Sequence, residues 1–401
     1  MRKVVVIDGV RTPFLRSGTA YMDLMSYQLG GFAIKGLLTK TGLRPDLVDG
    51  VIMGNVISNV KTPNVAREAA LVAGIPGSTP CRTVSQACIS ANRAISDACL
   101  EIMTGQANIV IAGGIDHTSD TPIQFPRKMR KKLFNAQRLK TQYTTDRVMG
   151  ADCDIMAARF GITREAQDAF AVRSHNLAAK AYEEGHLPNE IVPVQLQPKF
   201  KVIDQDNGIR GDSTIEKVGK LRPAFDRKYG TLTAANSSFL TDGASAVLLM
   251  TEEKAIELGL IPKAEVVDFV FTGQRLEDEL LLGPTYAVSK LFQRQNITFD
   301  DIDVIEFHEA FAGQILSNLK ALASDEFAQQ YLGREKAVGI VPMDKFNLWG
   351  GSLSIGHPFG ATGGRLVTTT ANRLHHEKGT YGLLAACAAG AHGHAMLLKK
   401  S

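Results

Sequence analysis

One arrangement occurs twice in this chain, and it limits the folds available more than any single motif does. In the first half a strand with polar flanks (LVDGVIMGNV) precedes a helix start that bears a cysteine (SQACISANRAISDACL). A strand ending in glycines (ANIVIAGG) follows. In the second half the same order returns as DIDVIEFHEAF, then a helix start that bears a histidine (GGSLSIGHPFGATGGRLVTTTANRL), then YGLLAACAAG. Two copies of one βα unit predict two similar domains packed together, with a functional site at their junction. Short β-branched runs alternating with helical patterns and glycine turns predict an α/β protein built of βαβ units around a parallel sheet. At 401 residues the chain is long enough for two or three domains.

The boundaries drawn from this pattern are residues 1–115 for the N-terminal half, completed by 240–266, and 267–401 for the C-terminal half. Residues 116–239 differ in texture and read as an inserted loop domain that covers the site and binds ligand. This stretch holds a basic segment from Arg127 to Lys140, an amphipathic helix starting near Thr163, and a polar, turn-rich segment (LQPKFKVIDQDNGIRGDS). The basic segment reads equally as a solvated loop and as a contact for anionic groups.

Composition narrows the function classes. With 44% hydrophobic and 21% charged residues the chain is globular in type, and no apolar run of about 18 residues predicts a membrane span. Its start, MRKVVVIDGVRTPF, reads as a buried strand and not as a leader. A cytoplasmic protein is therefore expected, or a mitochondrial matrix protein whose leader has been removed. The five cysteines are odd in number and lack CxxC spacing, which argues against a disulfide framework or a zinc site. A net charge of +4 does not by itself point to nucleic acid, and it suits an anionic small-molecule substrate. Neither GxGxxG nor a P-loop is present.

Four side chains stand out chemically. Cys88 lies among small residues near a helix start, where unpaired N–H groups and the helix dipole favour a thiolate and can cradle an oxyanion. His357 sits among six nearby glycines, in GHPFGATGG, at what reads as the opening of a helix. There it can take a thiol proton and stabilise the thiolate as imidazolium. Cys387 and His308 each follow an apolar strand, a common place for catalytic groups in α/β folds. His308 and Glu309, at adjacent positions, do not share a face, so hydrogen-bond donation by His308 is a better reading than metal ligation.

RTPF, VSQACISANRAI, TAANSSFLTDGASA, HEAFAGQ, GGSLSIGHPFGATGGR and AACAAGAHGHA, in this order and across the whole chain, resemble the thiolase family. HEAF and CAAG, with DNGIR, LLLGPTYA and SDEFAQQYLGREK, resemble most the β-subunit branch of the fatty-acid oxidation complexes. The resemblance implies a thiolase-like fold of two βαβαβαββ halves packed in layers. It also implies thiolytic cleavage of a 3-oxoacyl-CoA by CoA, giving acetyl-CoA and a shortened acyl-CoA. Carried over position by position, it makes Cys88 the nucleophile, His357 its base and Cys387 the second acid and base. His308 becomes a partner of His357 in holding the thioester oxygen. Backbone N–H groups of Cys88 and Ala389 would form an oxyanion hole, and Arg210, Ser238 and Met149 would bind CoA. CoA and acyl-CoA enter as substrates, with no metal and no bound cofactor. The resemblance also implies a homodimer or homotetramer and allows a partner subunit with hydratase and dehydrogenase activities.

Departures from the family pattern are Val148 where short-chain members carry His, Ala389 and Ala391 in place of glycines, and His392 in place of Gln. The rival readings are a short-chain acetyl-CoA acetyltransferase, a ketoacyl-synthase-type condensing enzyme, which lacks a second catalytic cysteine, and a non-catalytic lipid-carrier subunit.

Overall fold

A computed structural model of the chain describes residues 1–121 and 147–401; the basic segment from Arg127 to Lys140 lies outside the described residues. The strands described are β1 (Val4–Arg11), β2 (Leu15–Arg16), β3 (Gly50–Gly54), β4 (Cys81–Val84), β5 (Ile109–Asp116), β6 (Val194–Leu196), β7 (Lys201–Ile203), β8 (Thr241–Thr251), β9 (Ala264–Gly273), β10 (Val304–Phe307), β11 (Tyr381–Ala388) and β12 (His392–Lys400).

The internal repeat is visible in the strand order. Nine strands run side by side as β4-β3-β5-β8-β1-β9-β12-β11-β10, and β2 pairs with β8. Moving outward from the β1/β9 contact, each side meets its first strand, then its last, then the fourth and second in chain order. On the C-terminal side the third is reduced to a single bridge between Ile305 and Phe346. The seam is thin, since β1 and β9 pair only at Val5–Glu265 and Val6–Ala264. β9 runs along β12 from Ala264 onward. Residues 264–266, expected to complete the N-terminal half, therefore begin the C-terminal one.

The sheet is mixed, which corrects the expected parallel arrangement. β3 lies parallel to β4 and β5, and β10 parallel to β11. β8 and β12, however, are antiparallel to both of their neighbours. The reason is local. β12 follows β11 through a tight turn in which Gly390 (φ 86°) and Ala391 (φ 55°) take left-handed conformations, and a hairpin can join only antiparallel strands.

Both faces of the central strands are buried. Val5, Ile7, Ile109, Ile111, Leu248 and Met250 belong to one core, and the alternating residues Val4, Val6, Val110, Ala112, Val247 and Leu249 belong to another. This period of two explains why the strands read as continuous apolar runs. The first core lies under the outer helices Ser26–Thr41 and Val65–Val72, the second against two interior helices, Ser90–Met103 and Thr362–His376. The Thr362–His376 helix touches β1, β5 and β8 of one half, β10, β11 and β12 of the other, and the Ser90–Met103 helix. It is buried along most of its length although rich in Thr and Arg. Its hydroxyls bond internally or to Glu190, and Arg365 and Arg373 flank the buried Glu306.

The inserted segment is tied down by buried polar contacts. Its long helix, Arg164–Glu183, is capped by Thr163 and packs on the Ser352–Ile355 and Ala312–Leu322 helices. Asn236, from the TAANSS block, accepts from the Thr233 N–H (2.6 Å) and donates to Asp168 (2.9 Å). Arg11, from RTPF, is fully buried and grips Asp206 in two-pronged fashion (2.6 and 2.8 Å), while Asp206 also accepts from the Phe14 N–H. That clamp fixes the DNGIR loop against β1. Asp206→Ala leaves the buried Arg11 guanidinium with only the more distant Glu190 carboxylate (3.8 Å) as counter-charge, and is expected to cost about 3 kcal/mol in urea denaturation. A loss below about 1 kcal/mol would show that the clamp is dispensable.

Candidate active site

Cys88 sits on a tight turn between β4 and the Ser90–Met103 helix. Ala87 adopts a left-handed backbone (φ 46°), a conformation that costs a residue bearing a Cβ roughly 1–2 kcal/mol. The turn is held by Ser90, whose Oγ donates to the Ala87 carbonyl (2.7 Å) and accepts from the Gln86 N–H (2.8 Å). The helix begins two residues after Cys88, so the cysteine lies just ahead of its first turn.

His357 also precedes its helix, which starts five residues later at Thr362. The loop between them is pressed against the N-terminal half, backbone to backbone. A Cβ on Gly114 would overlap the Gly360 carbonyl oxygen, so only glycine fits there. Asp116, at the end of β5, accepts from the N–H groups of Val56, Ile57 and Gly360 and from the Asn55 side chain. One buried carboxylate thus joins the tips of β3 and β5 to the histidine loop. His357 is oriented further by Thr241, which accepts from its N–H (3.0 Å), and by Thr362 Oγ1, 2.6 Å from its Nδ1.

His308 follows β10, its N–H bonded to the Ala385 carbonyl of β11 (2.8 Å). Its ring lies 4.1 Å from the His357 ring, centre to centre. The Cys88 sulfur and one nitrogen of each ring lie within 4.8 Å of one another. Three such atoms could share a proton or a soft cation; acyl transfer to sulfur calls only for the proton. Glu309 points elsewhere, accepting from Ser174, Asn347 and the Leu353 N–H.

Cys387 is buried at the end of β11, close enough for charge on Cys88 to oppose its ionisation. The Ala389 N–H, in the β11–β12 turn, is directed at the Cys88 sulfur. Two cysteines from distant parts of the chain thus meet beside two histidines where the halves join.

This chain matches the thiolase N-terminal domain over residues 4–253 and the thiolase C-terminal domain over residues 260–400. It belongs to the thiolase family. It is 52% identical to the bovine (Bos taurus) mitochondrial trifunctional enzyme subunit beta, over 100% of this chain and 88% of that protein. To a probable 3-ketoacyl-CoA thiolase of Caenorhabditis elegans it is 47% identical, over 100% of this chain and 94% of the other. Among solved structures, human mitochondrial 3-ketoacyl-CoA thiolase superposes with a TM-score of 0.89 at 29% identity, covering 100% of this chain and 99% of that one.

The electrostatics of this thiolase differ from the expectation of a thiolate at a helix start. Withdrawal of the sulfur from water pushes the Cys88 thiol up to about 11; the Ala389 N–H acts against that rise and the Asp116 charge adds to it. His357 is pushed down to about 3, chiefly by burial and secondly by Arg365, and His308 is lowered by burial, His357 and Arg365. At neutral pH the resting site therefore holds a thiol and neutral imidazoles, not the expected thiolate–imidazolium pair. Burial also raises Asp116 to about 7.

The residues carried over for CoA are Arg210, Ser238 and Met149. Arg210 is exposed and its guanidinium donates to the carbonyls of Asn207 and Ile209. It acts on Arg16, whose guanidinium stacks on Phe239 at 4.0 Å. Ser238 is next in line, and Leu240 bridges directly to His357. Met149, at the start of the Met149–Arg159 helix, packs on the apolar cluster that contains Cys387. Four contributors escaped the sequence reading, namely Arg16, Asp116, Thr362 and Ser352. The last two lie within the quoted glycine-rich motif, where the question of what binds each Nδ1 would have found them.

A thiol near 11 should react slowly at neutrality. Alkylation of Cys88 by iodoacetamide in the ligand-free enzyme is expected to rise close to tenfold per pH unit from pH 7 to about 10, read by peptide mass spectrometry. A plateau reached by pH 8 would contradict the half-buried, neutral thiol.

Proposed function

We propose that this chain is a degradative 3-ketoacyl-CoA thiolase of medium to long acyl range, acting in fatty-acid β-oxidation. The observation that carries the reading is the meeting of Cys88, His308 and His357 within 4.8 Å, with Cys387 beside them.

Derived from those positions, the reaction has two halves. As the C3 carbonyl of the 3-oxoacyl-CoA approaches, His357 takes the Cys88 proton and the sulfur attacks. Oxygen charge at C3 falls to the N–H groups of Cys88 and Ala389. The C2–C3 bond then breaks, leaving an acyl-Cys88 thioester and the enolate of acetyl-CoA. Donors on His308 and on the now protonated His357 hold the enolate oxygen, and Cys387 supplies the proton to C2. In the second half the Cys387 thiolate deprotonates incoming CoA, whose sulfur takes the acyl group. Cys88 leaves and recovers its proton from His357. No step needs a metal or a bound cofactor.

Several features support the remaining parts of the reading. Arg16 and Arg210 suit the phosphates and adenine end of CoA, Ser238 the pantetheine arm, and Met149 the acyl side near Cys387. One solved relative is the human mitochondrial 3-ketoacyl-CoA thiolase in complex with CoA. The bovine relative is named as a beta subunit, which supports a hydratase- and dehydrogenase-bearing partner. β4 ends the sheet among the described residues, leaving an edge suited to pairing in a homodimer or, through further contacts, a homotetramer. The described helices include none long and apolar enough to cross a membrane. Of the two expected compartments, cytoplasm and mitochondrial matrix, the second is supported by the mammalian relatives, which are named as mitochondrial.

Cys88→Ser should reduce thiolysis of 3-oxoacyl-CoA by at least about 10³-fold, while wild type exposed to substrate carries an acyl mass on Cys88. Cys387→Ala should block carbon–carbon cleavage yet leave Cys88 able to accept an acyl group from a saturated acyl-CoA. Thiolysis rates across a series of chain lengths test the acyl range. Highest kcat/KM on acetoacetyl-CoA would replace this reading with that of a short-chain acetyltransferase.

A further inference from the structure

The two active-site histidines look alike in position, but the hydrogen bonds behind them are opposite in sense. Behind His357, Thr362 Oγ1 lies 2.6 Å from Nδ1 and 3.1 Å from the Pro358 carbonyl, which also accepts from the Ala361 and Thr362 N–H groups. A hydroxyl turned to that carbonyl leaves its oxygen to accept from Nδ1. The base role of His357 toward Cys88 requires this sense, with the proton on Nδ1 and a lone pair on Nε2.

Behind His308 the pattern reverses. Arg365 donates to Ser352 Oγ at 3.1 Å, occupying one lone pair of that oxygen. The other neighbour of Ser352 Oγ is His308 Nδ1, at 2.8 Å. Ser352 and His308 are both fully buried. If Nδ1 carried a proton, two donors would point at the serine oxygen and its own hydrogen would have no acceptor in this enclosure. A buried donor without a partner is costly. The satisfied arrangement has the Ser352 hydroxyl donating to Nδ1 and the His308 proton on Nε2. Both Nε2 atoms are buried without a protein partner, consistent with aim into the substrate space.

We propose that Ser352, held by Arg365, is a positioning residue that locks His308 as the Nε2–H tautomer, making it a hydrogen-bond donor while Thr362 keeps His357 a base. The division has a consequence for the order of events. At rest the site offers one acceptor, matched to the single Cys88 thiol proton, and one donor. Once His357 has taken that proton, both Nε2 atoms are donors, and only then is the seat for a thioester enolate complete. The charge of Arg365 assists by disfavouring a second proton on either ring. The functional consequence and the His357 tautomer rest on the thiolase reading above; the His308 tautomer does not.

Two measurements separate these. Neutron diffraction of the deuterium-exchanged wild-type enzyme should place deuterium on His308 Nε2 and His357 Nδ1; deuterium on His308 Nδ1 would overturn the proposal whatever reaction the enzyme runs. Kinetically, Ser352→Ala frees His308 to adopt either tautomer and should lower kcat for thiolysis by about tenfold or more. KM should change less than about threefold, and alkylation of Cys88 should stay within about twofold of wild type. Ser352→Thr, which keeps the hydroxyl, should restore most of kcat. Unchanged kcat in Ser352→Ala would refute the positioning role, and equal losses in kcat and alkylation would show a general structural defect instead. Should the variants fail to fold, the neutron measurement on wild type still decides the tautomer. A wild type that carries the predicted deuterons but shows no thiolysis would sink the functional reading while leaving this assignment standing.

Discussion

Partial withdrawal of one thiol from water, and full withdrawal of two imidazoles, at the seam between two similar halves, governs the chemistry of this thiolase. In water a cysteine and a histidine sit within about two pH units of exchanging a proton. Here burial moves them in opposite directions, the thiol up to about 11 and His357 down to about 3. The neutral pair is the resting state, and a thiolate can form only together with something that compensates its charge. In the proposed reaction the substrate carbonyl, facing the N–H groups of Cys88 and Ala389, supplies that compensation at the moment of attack. Such coupling protects a potent nucleophile from idle reaction with other electrophiles.

The fold makes this enclosure by close backbone contact. Gly114 and Gly360 touch without side chains between them, and Asp116 collects N–H groups from the tips of β3 and β5 and from the histidine loop. The loop from one half is thereby fastened to the strands of the other. Without that joint, Cys88 and His357 would ride on separate bodies, and a shift of about 1 Å between them would cost orders of magnitude in rate. The Thr362–His376 helix extends the same joint through the molecule, since it touches strands on both sides of the seam. Its buried arginines and threonines are tolerated because each finds an internal partner, Glu306 and Glu190 foremost.

Much of the candidate site is legible in the sequence. The spacing and surroundings of Cys88, His308, His357 and Cys387 marked them as chemical, and the repeated βα unit predicted a junction. The tight turn ahead of Cys88 is not legible in the sequence, for a local reason. Small residues and glycines permit both a helix and a tight turn, and sequence does not show that Ala87 takes a left-handed conformation. The parallel sheet was overestimated for a similar reason. Apolar runs buried on both faces read alike in either direction, and the turn of Gly390 and Ala391 decides between them.

The chain by itself determined which groups are available: two thiols, two imidazoles, glycines where backbones must touch, and a duplicated unit to carry them. Tertiary structure alone decided their state. Ionisation depends on how much water remains around a group, and the site of a proton on an imidazole depends on what lies behind Nδ1. Those environments are assembled from residues hundreds of positions apart, such as Asp116 beside Gly360, and no local pattern encodes them.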